Sequence, residues 1–252
     1  MSKLIYTKLP VIAFLLLFTQ YSNAQQWGNY TLYSVSNSTA AYLIDTNSTV
    51  YNTWTFGSSA RTGYSSYLLP GGDLVRTVSR SGNSFNGGGM TGQFQKYDFA
   101  GNLTWDFVYS TSTYCMHHDI CPLPNGNVLL IAYESKTAAE ATAAGSSSNI
   151  IIWSEKIVEV QQTGPTTGNI VWEWHLWDHL VQDVDPAKAN YQTSIVDHPE
   201  LLNINYQTQR DWIHMNGIDY NPMLNQIVVS SHNLDQWFVI DHSTTTAEAA
   251  TH

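Results

Sequence analysis

Two short stretches of this chain concentrate side chains that can move protons or hold an anion. His117-His118-Asp119 places two imidazoles and a carboxylate on consecutive positions. Asp211-Trp212-Ile213-His214-Met215-Asn216 supplies a second carboxylate, an imidazole and an amide, and His232 follows Ser230-Ser231 further on. Imidazole changes charge nearest neutrality. Neutral, it serves as a base or a nucleophile; carrying a proton, it donates hydrogen bonds that stabilise negative charge on oxygen. Any one such histidine is more often a polar residue satisfied by water and neighbours. The functional reading gains weight if the fold brings several of them together.

The element that must position the first group is the stretch Tyr114 to Ser135, YCMHHDICPLPNGNVLLIAYES. It reads as strand, turn, strand. Asn125-Gly126 between two apolar runs is a hairpin signal, because Gly126 accepts positive φ without steric cost. His117 and His118 are therefore expected on a sheet, at the start of a strand.

The chain also repeats. An apolar strand closed by an acidic residue, a polar turn, a Trp-centred strand and then an apolar hairpin recur at Tyr42 to Val75, Gln95 to Leu130 and Ile157 to Val229, and a fourth copy begins at Gln236. Repeats of about 45 to 60 residues built from short strands are the signature of β-propeller blades. The expected fold is all-β, a propeller of four-stranded antiparallel blades occupying residues 25–252, with its ring left open after Asp241. Trp54, Trp105 and Trp172 recur at one place in the repeat and are expected to pack between blades, not to bind ligand. Inner strands of successive blades converge on one axis, so His118, His214, Asn216 and His232 should share a cavity. The long connection 176–210 is expected to carry helical turns and cover one end of the propeller. His175 at its edge and His179 and His198 within it are expected at the surface, and His242 carries no argument.

Composition narrows the function. A net charge of -10, with 10 Lys and Arg, argues against nucleic acid, whose binding depends on basic residues. Lys3 and Lys8, the apolar run Val11 to Phe18 and the small residues Ser22 to Ala24 read as a secretory signal peptide over residues 1–24. That run falls short of the roughly 20 residues of a membrane span, so a periplasmic or secreted protein is expected. Cys115 and Cys121 are the two cysteines. Along a straight strand their Cα atoms would lie about 20 Å apart, against roughly 4.4 to 6.8 Å in a disulfide. A bridge needs a bend at His117-His118, and two buried thiols are the equal alternative. Metal ligation by two Cys and two His ranks last.

At these residues the chain resembles the arylsulfotransferases, exported bacterial β-propeller enzymes, six-bladed in full. The resemblance rests on HHDICPLPNGNVLL, on Trp172-Glu173-Trp174, and on DWIHMNGIDY followed by IVVSSHNLDQWFVID, and covers most of the chain from about Thr31 onward. It implies PAPS-independent transfer of a sulfuryl group from a phenolic sulfate ester to a phenol, through a sulfohistidine and with no metal or other cofactor. It implies catalytic roles for His118, His214 and Asn216, and substrate binding by His117 and His232. Two departures follow from the comparison of motifs. Where the family pattern has Ser-Ser-Arg, this chain has Ser230-Ser231-His232, so an imidazole replaces a permanent guanidinium. The family's nucleophilic histidine belongs to a later blade and is expected beyond residue 252. A non-catalytic secreted propeller that binds a ligand or protein is the competing reading, and a quinoprotein-like propeller is disfavoured because no Gly-Trp docking motif recurs.

Overall fold

The computed structural model describes residues 28–251, so the segment read as a signal peptide lies outside the described residues. The described chain is all-β, 48% strand and 6% helix. Four antiparallel meanders follow one another. The first holds β1 (Tyr30–Ser34), β2 (Ala40–Asp45) and β3 (Val50–Thr55). The second holds β4 (Arg61–Leu68), β5 (Leu74–Ser79), β6 (Gly92–Tyr97) and β7 (Leu103–Val108). The third holds β8 (Tyr114–Pro122), β9 (Val128–Lys136), β10 (Ile152–Gln162) and β11 (Gly168–His175). After a short parallel pair, β12 (Leu180–Val181) with β13 (Leu202–Asn203), the fourth holds β14 (Met215–Asn221), β15 (Gln226–Ser231) and β16 (Gln236–Asp241). These are propeller blades, and no closed barrel forms among the described residues.

Packing between blades follows from the pleat, which sends successive side chains to opposite faces. On β9, Val128, Leu130 and Ala132 join the core shared with Trp105, Phe94 and Val75 of the second blade. Leu129 and Ile131 join the core shared with Ile218, Ile227 and Val229 of the fourth. A strand buried on both faces must read as a continuous apolar run, which is what Val128 to Ala132 does. Full burial of each Leu or Ile there contributes about 1.5 to 3 kcal/mol.

The recurrent tryptophans lock neighbouring blades. Trp54 Nε1 on β3 donates to the Asp98 carbonyl in the second blade's outer hairpin at 2.8 Å, and Trp172 Nε1 on β11 donates to the Thr244 carbonyl beyond β16 at 2.9 Å. Trp105 holds the matching place, fully buried, but its Nε1 has no partner; here the neighbouring backbone makes the contact, Asp106 N to the Pro165 carbonyl at 2.8 Å.

The hairpin after β8 forms as its sequence requires, with Gly126 at φ 88° and Leu123 N bonded to the Asn127 carbonyl. Helix α1 (Ala138–Ala143) is capped by a reciprocal pair, Thr137 with Glu140, and α2 (Thr246–Ala249) by Thr245 with Glu248. The connection 176–210 differs from its expected helical turns. A single 3-10 turn at Leu176–Asp178 leads directly into β12, and Leu180, Val181 and Ile204 bury against the third and fourth blades. His179 is buried there rather than exposed, stacked 4.9 Å from Trp174 with Nε2 2.9 Å from the Ala249 carbonyl. His242 is also engaged, its Nε2 2.8 Å from Glu159 Oε2. Both cysteines are free, buried thiols in different cores, Cys115 beside Phe85 and Tyr133, Cys121 beside Leu123 and Leu129.

Candidate functional site

His117, His118 and Asp119 do not begin a strand. They occupy the middle of β8, at an irregularity between Met116 and Ile120 where the pairing with β9 slips. The inner strands of the flanking blades are irregular at the same level: β4 slips between Thr62 and Ser66, and β14 between Met215 and Gly217. A bulge leaves backbone unpaired and re-aims side chains. Tyr64, His118 and the residue preceding β14, His214, meet through this repeated device. The His118 and His214 ring centroids are 4.8 Å apart, edge to face, and Tyr64 lies 5.3 Å from His118.

His118 and His214 have φ of 49° and 54°. Left-handed backbone disfavours a residue with a Cβ, and such strain persists where the surroundings over-determine it. Here the surroundings include a run that motif reading overlooked, Gly87-Gly88-Gly89. The Gly89 carbonyl accepts from His118 N at 2.6 Å. A Cβ on Gly89 would fall 2.0 Å from Cε1 of His118, and one on Gly88 would fall 2.5 Å from Cε1 of His214. Bare backbone therefore lies directly against both rings. Three consecutive glycines were the available signal, since glycine permits close approach of main chain.

The four histidines of the two motifs form a row. His117 is 5.3 Å from His118, and His232 is 5.4 Å from His214. His117 has no exposed surface; its ring stacks on Tyr133 at 3.8 Å, its Nε2 is 2.8 Å from Glu155 Oε2, and its Nδ1 is 3.0 Å from His118 Nδ1. With no exposed surface, His117 adjoins the row through the contact of its Nδ1 with His118. Asn216 is exposed at the β14 bulge and accepts from Ser230 Oγ at 2.6 Å; no hydrogen bond among the described residues ties it to the histidines. Asp119 clamps three inner strands, accepting from Tyr67 Oη of β4 at 2.7 Å and from Ile218 N of β14 at 3.2 Å.

The two central imidazoles differ electrostatically. His214 Nδ1 is 2.6 Å from Asp211 Oδ2, and that hydrogen bond raises the His214 pKa above the ordinary value against partial burial. Tyr133 Oη donates to the same carboxylate at 3.1 Å. His118 is shifted the other way, to about 3, first by desolvation and then by His117 and His214. One ring thus favours the imidazolium and its neighbour stays neutral. No hydrogen bond among the described residues uses Nε2 of either ring, so an anion with several oxygens could take a donor from each. No cluster of three or more His, Cys, Asp or Glu able to hold a metal occurs among the described residues. A cavity of ≈ 320 Å³ lined by Ile195, Leu202, Tyr206, Leu234 and Phe238 shares no residue with the row.

A family model described as Arylsulfotransferase (ASST) matches residues 77–248, a span that holds all four histidines. No curated protein matches the chain. Among solved structures, a protein of unknown function from Bacteroides caccae is similar, with 11% identity, a TM-score of 0.41 and 85% of this chain covered. This chain spans 58% of that protein's length. By the family match over most of its length, the chain belongs to the arylsulfotransferase family.

Proposed function

We propose that this protein is an aryl-sulfate sulfotransferase, moving a sulfuryl group from a phenolic sulfate ester to a phenolic acceptor, and that it works after export, outside the cytoplasm. The observation that carries the reading is the pairing of His118 and His214, 4.8 Å apart with both Nδ1 atoms engaged and both Nε2 atoms without a hydrogen bond. Sulfuryl transfer concentrates charge on the oxygens around sulfur, and donors fixed beforehand stabilise the transition state more than the substrate. His214, biased towards imidazolium by Asp211, supplies charge; His118 supplies a neutral donor. In this reading both rings hold sulfonate oxygens, and a further histidine, implied by the family resemblance, takes up the sulfuryl group. His232 extends the row towards solvent and contacts the donor ester. Asn216 reaches the sulfonate if it exchanges its bond to Ser230 for one to the ligand.

The test is transfer from 4-nitrophenyl sulfate to phenol by the full gene product. His118→Ala and His214→Ala should each lower kcat/KM by about 100-fold or more, the scale of losing one donor to developing charge. Unchanged rates in both variants would remove the proposed site.

A further inference from the structure

Behind His118 lies a buried chain of proton carriers that the transfer reading does not require. Glu155 on β10 is fully buried, as is His117. Glu155 Oε1 accepts from Met215 N at 3.0 Å, Oε2 is 2.8 Å from His117 Nε2, and His117 Nδ1 is 3.0 Å from His118 Nδ1. Each contact needs one proton between its two atoms, so the protons in this chain are coupled. We propose that Glu155 and His117 are positioning residues that fix the tautomer of His118, with His118 Nδ1 as acceptor and the His118 proton held on Nε2, facing the ligand. This deepens the donor role assigned to His118 and rests on that reading for its functional meaning.

The argument is one of charge. If Glu155 and His117 together carry no net charge, either as carboxylic acid and neutral imidazole or as an ion pair, a proton sits between Oε2 and Nε2. His117 must then hold its other proton on Nδ1 and direct it at His118. The reverse arrangement requires a bare carboxylate beside a neutral imidazole. That leaves one net negative charge in a site closed to water, close to the Asp211 carboxylate, and an isolated buried charge is strongly disfavoured. Desolvation raises the Glu155 pKa well above the ordinary carboxyl value and lowers that of His117, in keeping with a net-neutral pair. The stack of His117 on Tyr133, 12° from parallel, holds the ring in the plane that both contacts need. His214 and Asp211 pair with each other at 2.6 Å, so their charges are balanced outside this chain.

The deciding measurement is a long-range proton–nitrogen correlation spectrum of the protein labelled with nitrogen-15 histidine, near pH 7, which reports the tautomer of each ring without any activity readout. Failure of the sulfuryl-transfer reading would therefore leave this test intact, and the reverse also holds. The expected result is a His118 protonated on Nε2 and unprotonated on Nδ1. Glu155→Gln should preserve it, since the amide donates to His117 Nε2 and its oxygen accepts from Met215 N as the acid does. Glu155→Leu should release His117 and populate both His118 tautomers. A wild-type His118 protonated on Nδ1, a tautomer reversed in Glu155→Gln, or a single Nε2 tautomer retained in Glu155→Leu would each overturn the proposal. If the leucine variant does not fold, the wild-type and glutamine spectra still decide.

Discussion

His118 and His214 come from different blades, yet their rings meet edge to face at 4.8 Å and both residues hold left-handed backbone, φ 49° and 54°. The remaining non-glycine residues of positive φ among those described are Asn, Ser and Asp, polar types that are common in turns. The two histidines lie instead at strand irregularities, His118 within β8 and His214 just before β14. Their conformation stores strain on the order of 1 to 3 kcal/mol each, which fits a site where ring placement is kept at a cost in stability.

That strain predicts an inversion of the usual glycine penalty. His214→Gly and His214→Ala should lose transfer activity alike, by about 100-fold or more. Because the position is left-handed, the glycine variant should be the more stable of the two by about 1 kcal/mol. Urea midpoints of the two variants measure the difference; an alanine variant at least as stable as the glycine one would contradict it.

Gly89 should be intolerant of a single methyl group. Its Cβ would sit 2.0 Å from the His118 ring, whereas Gly126, also of positive φ, has open space around it. Gly89→Ala is expected to displace His118, reduce transfer about 100-fold and cost about 1 to 3 kcal/mol or more. Gly126→Ala should cost about 1 kcal/mol and leave transfer unaltered. Equal effects of the two substitutions would show that the close backbone over His118 has no role.

The Asp211 carboxylate should be what keeps His214 protonated. With the folded-state pKa raised above the ordinary 6.5, the interaction stabilises the fold fully below that value and fades as pH rises through the folded-state pKa. Asp211→Asn should move the His214 titration to lower pH in a histidine NMR titration and remove this alkaline loss of stability. An unmoved titration would assign the shift to another group.

On the acid side His118 is depressed to about 3, first by burial. The unfolded chain takes up a proton at this ring near pH 6.5 that the folded chain refuses, so stability should fall as pH drops below that value. The buried His117 and Glu155 shift in opposite directions, downward and upward, so as a net-neutral pair they offset each other over this range. His118→Gln should therefore flatten the decline between about pH 6.5 and 4.5. A decline equally steep in wild type and variant would exclude His118 as its source.

The blades were legible because their signals are local and repeated: the Asn125-Gly126 turn, the apolar run of β9 and the recurrent Trp strands each follow from pleat and turn chemistry. The convergence of His118 with His214 was legible through the repeat, which places equivalent strands on one axis. Glu155 and the glycine run were harder to see. Glu155 sits between Ser154 and Lys156 on a strand where nine consecutive positions are buried, and a carboxyl there is informative only when its partner His117 is known. His179 was misjudged because a long connection looks exposed in sequence, while here it folds back against Trp174. Asn216 matched a motif position, but the bulge at β14 turned it towards Ser230.

Direct observation of the ring nitrogens during ligand titration tests the central claim most closely. With 4-nitrophenyl sulfate added to nitrogen-15 histidine protein, the Nε2 signals of His118 and His214 should move together and saturate with one common dissociation constant, while His179, buried against Trp174, stays fixed. An aryl sulfate that binds and leaves both signals unmoved would contradict a sulfonate site between these two histidines.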